Sequence, residues 1–226
     1  MKEIDALLQR HSVRNYTDRK IGPEVLEKLG VMIDDCNRAG DLHLQLLKDA
    51  GKTFSRLLNR VMGLGSAPSV ILCAGRESDT LEERIGYWGE KVVLRAQELG
   101  LNTCWAGTFS AKNAPVKPAE GERAVIAIAV GYGADQGRPH RSKTIEQVTS
   151  GRADRPAWFT RGAELALLAP TAINQQKFEL RLNDDDTVTA VDKGGPFSRV
   201  DLGIVKYHFD LAREEAGLPR FWDGMK

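Results

Sequence analysis

Arg10, Ser12 and Arg14 put two guanidinium groups four residues apart with a hydroxyl between them, and His11 and Tyr16 lie beside them. A guanidinium fork suits phosphate oxygens and ring carbonyls, and a serine hydroxyl adds a neutral donor to the same anion. Basic residues here would also complement the C-terminal dipole of a short helix carrying Ile4, Leu7 and Leu8. A second cation–hydroxyl–cation run, Arg141-Ser142-Lys143, lies far along the chain. A dianion taken from water needs several charge-assisted partners, each worth about 1.5–3 kcal/mol. Two such runs converging on one phosphate would supply them. Taken alone, Arg141 and Lys143 read more simply as charges on a solvated linker.

Other chemistry is weakly signalled. Gly63-Leu64-Gly65 precedes a strand candidate, whereas a phosphate loop follows one. Gly131-Tyr132-Gly133 does follow a strand, but no helix opens there and Pro139 interrupts soon after. Both read as turn glycines, so a nucleotide phosphate would have to be held by side chains. His43, His140 and His208 show no metal-ligand spacing and read as surface or core-edge residues. Cys36, Cys73 and Cys104 are odd in number, widely spaced and set in apolar contexts, as expected of buried thiols. No His-Asp or paired-carboxylate arrangement stands out. Tyr16 fits the core as well as a cofactor contact. Trp158 and Phe159 read as helix packing before pocket lining.

The elements that must position these residues follow from periodicity. Pro23 suits a first helical turn, Val25, Leu26, Leu29, Ile33 and Cys36 recur at helical spacing, and Gly40 is placed to end that helix. Residues 42–47 are a short strand candidate. Residues 69–74 read as a buried strand entered through Ala67 and Pro68. Ile85, Trp88, Val92, Ala96 and Leu99 mark a long helix closed by Gly100, and residues 101–105 make the next strand. The continuous apolar run 124–130 reads as a central strand. Residues 131–156 are rich in turns. A helix through Trp158, Phe159, Ala163 and Leu167 ends near Pro170. Residues 178–182 and 187–191 look like a hairpin. Ser198 and Asp201 resemble an N-terminal capping pair for a last helix carrying Val200, Ile204, Tyr207 and Leu211, stopped by Gly217 and Pro219. Helices interleaved with strands imply an α+β or α/β sheet protein.

Composition bounds the function. Of 226 residues, 42% are hydrophobic, enough for a sizeable core, and 32 Lys and Arg against 31 Asp and Glu leave a net charge of +1. That balance argues against a dedicated nucleic-acid binder, and acids interleave the basic stretch 138–155. No apolar run approaches the roughly 20 residues of a membrane span, and the N-terminus lacks a secretion-signal core. A reduced cytoplasmic protein is expected.

Three further stretches join Arg10-His11-Ser12-Val13-Arg14: residues 98–107 (with Leu99, Gly100, Leu101, Trp105, Ala106 and Gly107, continuing into Thr108 and Phe109), residues 169–176, and Val200 to Ile204 at the opening of the last helix. Together they resemble the nitroreductase family of FMN-dependent oxidoreductases over most of the chain, with residues 30–65 matching poorly. The resemblance implies a nitroreductase-like α+β fold, with a central mixed, mostly antiparallel sheet flanked by helices, as one domain over 1–226 or two similar halves, 1–150 and 151–226. It implies FMN contacts at Arg10, His11, Ser12 and Arg14. The family's basic pair on the phosphate is similar to Arg141 and Lys143. Its turn against the flavin ring is similar to Trp105, Ala106 and Gly107. Its Pro-Ser-x-x-Asn-x-Gln loop is similar to Pro170, Thr171, Asn174 and Gln176. In most of the family that loop follows the first motif closely; here it comes after the basic pair, as though the C-terminal part supplied what the N-terminal part lacks. The implied activity passes hydride from NADH or NADPH through the flavin to a small-molecule acceptor, nitro-aromatic or quinone, in ping-pong fashion. No catalytic side chain is required. Arg14 would favour negative charge on the ring. A homodimer is the family habit. A flavin-binding carrier or sensor without turnover, or an unrelated interaction domain whose cations are surface charge, are the competing readings.

Overall fold

The computed structural model describes residues 2–48, 67, 69–107 and 118–225. The Gly63–Gly65 turn, Pro68 and the Thr108-Phe109 continuation lie outside them.

The main sheet has four antiparallel strands, β1 (His43–Lys48), β2 (Ser69–Arg76), β3 (Asn102–Ala106) and β4 (Glu122–Gly131), in the order β1-β2-β4-β3. The apolar run of β4 is central as expected, with Ile128 opposite Ile71 on one side and Trp105 on the other. Side chains alternate across the pleat. Ile71, Cys73, Ile126, Ile128 and Val130 point into the larger core with the helices. Val70, Leu72, Cys104, Ala127 and Ala129 point the other way, onto Val13 and Tyr16. The N-terminal motif therefore lies across one face of the sheet.

Six α-helices are described: α1 (Glu3–Gln9), α2 (Pro23–Gly40), α3 (Leu81–Glu98), α4 (Ile145–Val148), α5 (Ala157–Ala166) and α6 (Ser198–Glu215). α3 and α6 cross at glycine against glycine. A Cβ on Gly86 would stand 2.0 Å from Val200 O, and one on Gly203 would stand 2.0 Å from Glu83 O. This close approach buries α3 almost all round. Gly100, at φ 77°, ends α3 in the left-handed conformation expected of it, with Leu101 N–H donating to Ala96 O. A smaller sheet joins β5 (Thr149–Gly151), parallel to β6 (Phe178–Leu182), and β7 (Val188–Asp192), antiparallel to β6.

Three local expectations differ from the structure. Gly40 is the last residue of α2, and the left-handed cap is Asp41, at φ 48°. Gly40 is small for another reason: a Cβ there would stand 2.3 Å from the Trp88 ring. The turn-rich stretch 131–156 contains α4 and β5, both too short to show a period. Ser198 and Asp201 do not cap α6, whose N-cap is Phe197 with no side-chain cap; Ser198 Oγ donates to Asp192, and Asp201 reaches a different loop. Trp158 and Phe159 pack edge-on with Phe209, as helix packing requires. All three cysteines are buried.

Candidate functional site

α1 stops at Arg10, whose extended backbone (φ −70°, ψ 129°) turns the chain into a strip along the sheet edge. Ser12 bridges Thr103 of β3, and Val13 N–H donates to Thr103 O at 3.0 Å. Thr17 N–H donates to Tyr132 O, and Ala134 N–H to Asn15 O, each at 2.9 Å. Val13 and Tyr16 anchor the strip in the core, the Tyr16 hydroxyl donating to Val13 O at 2.8 Å. Gly137, at φ 71°, lies against it so closely that a Cβ would stand 2.7 Å from His11 Cβ. These contacts fix His11, Ser12, Arg14 and Asn15 as one wall of a cleft.

The opposite wall is residues 170–176, after α5. Ile173, Asn174 and Gln176 all sit at positive φ (48°, 55° and 45°). Asn174 is tolerated there, but a β-branched Ile is an outlier that its surroundings must impose. The loop is tied to the crossover 140–143. Asn174 Nδ2 donates to Arg141 O at 2.7 Å, and Gln176 Nε2 donates to Arg141 O at 2.9 Å and to Asn174 Oδ1 at 2.8 Å. Lys143 N–H donates to Gln176 Oε1 at 2.8 Å, and Lys143 Nζ to Gln176 O at 2.6 Å.

Between the walls lies a cleft of about 590 Å³ that also takes in Asp135, Gly137, Arg138 and His140. Its lining carries three arginines against the single carboxylate of Asp135, whose Oδ1 accepts from Gly137 N–H at 2.8 Å. Arg10 is 4% exposed, its Nε stands 3.7 Å from Glu90 Oε1, and that nitrogen has no hydrogen-bond partner among the described residues. His140 Nε2 is also buried without a hydrogen-bond partner among the described residues. Burial, then Arg10 and His140, lower the pKa of His11, which disfavours its charged form. Burial raises the Cys104 thiol, while Arg14 and Arg10 pull it down, which places both cations beside β3.

Seven expected residues share this cleft: Arg10, His11, Ser12, Arg14, Pro170, Thr171 and Asn174. Others stand elsewhere. Lys143 and Gln176 do not line it; they hold each other, and the Gln176 amide is spent on Arg141, Asn174 and Lys143. Arg141 enters through its carbonyl, which Asn174 and Gln176 clamp. Trp105 Nε1 donates to Glu90 at 2.9 Å, and Ala106 is buried. The space beside Gly107, expected to be open for a ring, is filled by the Phe197 ring, 2.3 Å from where a Cβ would be. Phe197 and Pro196 join this turn to the amide loop, since Gln175 Nε2 donates to Pro196 O at 2.9 Å.

The sequence reading missed Arg138 and His140, a few residues before the basic pair it singled out. Glu90 shows in the sequence only as a polar position on an apolar helix face, and His208, expected at the surface or core edge, is wholly buried beside it.

Comparison with known proteins agrees with the fold. Two solved structures, each described as a "putative nitroreductase", share the fold. One, from Thermotoga maritima, is 22% identical, with 97% of this chain and 87% of that chain covered and a TM-score of 0.68. The other, from Desulfovibrio desulfuricans and in complex with FMN, is 18% identical, with 69% of this chain and 98% of that chain covered and a TM-score of 0.52. A Staphylococcus epidermidis protein described as a "putative NAD(P)H:FMN oxidoreductase" is 14% identical, with 65% of this chain and 94% of that chain covered and a TM-score of 0.53. No curated protein matches the sequence. The family model described as "Putative TM nitroreductase" matches residues 3–213, a span that includes both walls of the cleft. The chain belongs to the nitroreductase family.

Proposed function

We propose that the cleft holds FMN and that the protein passes hydride from NADH or NADPH to a small-molecule acceptor such as a quinone or nitro-aromatic. The observation that carries this reading is the cleft between the two walls, whose lining sets Arg10, Arg14, Arg138 and His140 against the single carboxylate of Asp135. A phosphate monoester would meet several charge-assisted donors there, each worth about 1.5–3 kcal/mol. The volume lies within the roughly 300–1,000 Å³ of small-molecule sites.

Arg10, Arg138 and His140 would bind the phosphate, with the Ser12 hydroxyl as a neutral donor. Arg14 would supply positive charge toward the ring, where water is scarce and charge counts for more. Asn174 keeps one N–H and one lone pair free of its two internal bonds for the ring edge. When bound, FMN supplies the hydride chemistry itself. Both walls belong to one chain, so a second copy is not needed to bring them together, although a homodimer remains the family habit.

The Phe197 ring against Gly107 favours a second reading, a flavin carrier whose ring face is covered. Absorbance under anaerobic conditions separates the two. Rapid bleaching of bound flavin by NADH or NADPH, with recovery on adding a quinone, is expected of the enzyme. Tight binding without bleaching indicates the carrier. Protein that ignores added FMN sinks both.

A further inference from the structure

Three of the six non-glycine residues at positive φ among the described residues fall in the amide loop, and Ile173 is 88% exposed there. Strain of this kind persists only where the surroundings over-determine it. Besides the ties of Asn174 and Gln176 to the crossover, Asp201 in the first turn of α6 holds this loop. It is 7% exposed, and no ion pair to it is found among the described residues. Its Oδ1 and Oδ2 accept from Ala172 N–H at 3.0 and 3.1 Å, and Oδ2 also accepts from Gln175 Nε2 at 2.7 Å. A buried carboxylate without a cation is costly. Burial raises its carboxyl to about 6, and Asp192 pushes it the same way. The molecule therefore bears a buried charge at one end of this contact and a strained backbone at the other. Both serve to hold Thr171 and Asn174 in the cleft wall.

We propose that Asp201 is a positioning residue, whose carboxylate locks the 171–176 loop in the conformation that presents Thr171 and Asn174 to the cofactor, and whose protonation releases it. The inference rests on the cofactor reading above. Protonation turns one accepting oxygen into a donor. An O–H then faces the N–H groups of Gln175 or Ala172, and one partner must turn away. The charged group that faces Asp201 is Asp192 of β7, which accepts from Ser198 Oγ at 2.9 Å. On the α3 side Glu83 is occupied by Lys206, and the loop side offers only the neutral Gln175 and Ala172.

The test uses the full chain with Asp201→Asn and Asp201→Ala. In ligand-free protein, the Ala172 amide signal of the wild type is expected to shift with a midpoint near pH 6, and its hydrogen exchange, corrected for intrinsic rate, to quicken as pH falls. Asp201→Asn, which like the protonated acid offers one acceptor and one donor at every pH, should show neither. In FMN titrations from pH 7.5 to 5, other groups and the ligand's own phosphate also titrate, so the ratio of wild type to Asp201→Asn is read. It should favour the wild type by up to about tenfold at pH 7.5 and approach one at the acid end, since a competent fraction of about one in ten reduces apparent affinity by that factor. Asp201→Ala should bind FMN at least about tenfold more weakly at pH 7.5 without a lower thermal midpoint, because a merely structural residue would lower both. An Ala172 amide that does not titrate, or an Asp201→Asn profile as steep as the wild type's, overturns the proposal. If no form binds FMN, the cofactor reading fails and the amide measurement alone decides on the latch.

Discussion

Glu90 is wholly buried and serves several elements at once. Its Oε2 accepts from Trp105 Nε1 at 2.9 Å, while its Oε1 lies 3.0 Å from His208 Nε2 and 3.7 Å from Arg10 Nε. His208 Nδ1 lies 3.0 Å from Leu165 O, which ties α5 into the same network. Arg10 and Trp105, from two stretches that the sequence singled out, are thus held to one carboxylate that it did not. Removing one partner of a buried pair leaves the others uncompensated, so Glu90→Ala is expected to cost about 3–5 kcal/mol in urea unfolding. A loss below about 1 kcal/mol would show that the network carries no charge worth pairing. The cleft divides the basic residues of the crossover in a way that can be checked. Arg138→Ala should weaken FMN by roughly tenfold or more, one lost charge-assisted bond, whereas Lys143→Ala should weaken it less because Lys143 Nζ is spent on Gln176 O. Arg10, Ser12 and Arg14 were legible because cations bracketing a hydroxyl are a local pattern. Arg138 and His140 were not, because which residue of a turn-rich crossover faces inward depends on Gly137 packing against His11.

The long elements declared themselves through period: α2, α3 and α6 by apolar recurrence, β2 and β4 by continuous apolar runs between turn residues. α4 and β5 span four and three residues, shorter than any period that could reveal them. The capping expectation at Ser198 and Asp201 failed for a tertiary reason. Asp201 finds Ala172 and Gln175 in space, and the helix start is set by Phe197 at φ 56°. The crossing of α3 and α6 sets one local preference against a packing constraint. Alanine in place of Gly203 gains roughly 1 kcal/mol of helix propensity, yet its Cβ would stand 2.0 Å from Glu83 O and 2.7 Å from Tyr87 N, both backbone atoms that cannot step aside. The clash wins, and Gly203→Ala is expected to lose roughly 2 kcal/mol net in chemical denaturation. A variant as stable as the wild type would mean that the helices stand further apart.

Over the whole molecule, near-balanced charge conceals a local surplus: the cleft is cationic although the chain is +1. No described helix is long and apolar enough to cross a membrane. Stability should carry the signature of Asp201. Its carboxyl is raised from 3.8 to about 6, so the folded state binds this proton more tightly than the unfolded chain. The resulting stabilisation is full below the unfolded value and fades as pH rises through about 6. Wild type should therefore gain about 1.4 kcal/mol over Asp201→Asn between pH 7.5 and pH 5 in urea unfolding, even as its loop loosens. Parallel pH profiles would place that carboxylate in water.

The claim beneath all of this is that residues 10–15 and 170–174 of one chain, with Arg138 and His140, enclose a phosphate-bearing flavin. Titrating ligand-free protein with FMN and with riboflavin, followed by flavin fluorescence, tests it directly. The account predicts FMN binding at least about a hundredfold tighter than riboflavin, two charge-assisted bonds' worth, with at least about tenfold of that margin lost in Arg138→Ala. Equal affinity for the two flavins, or a margin that Arg138→Ala leaves intact, would contradict it.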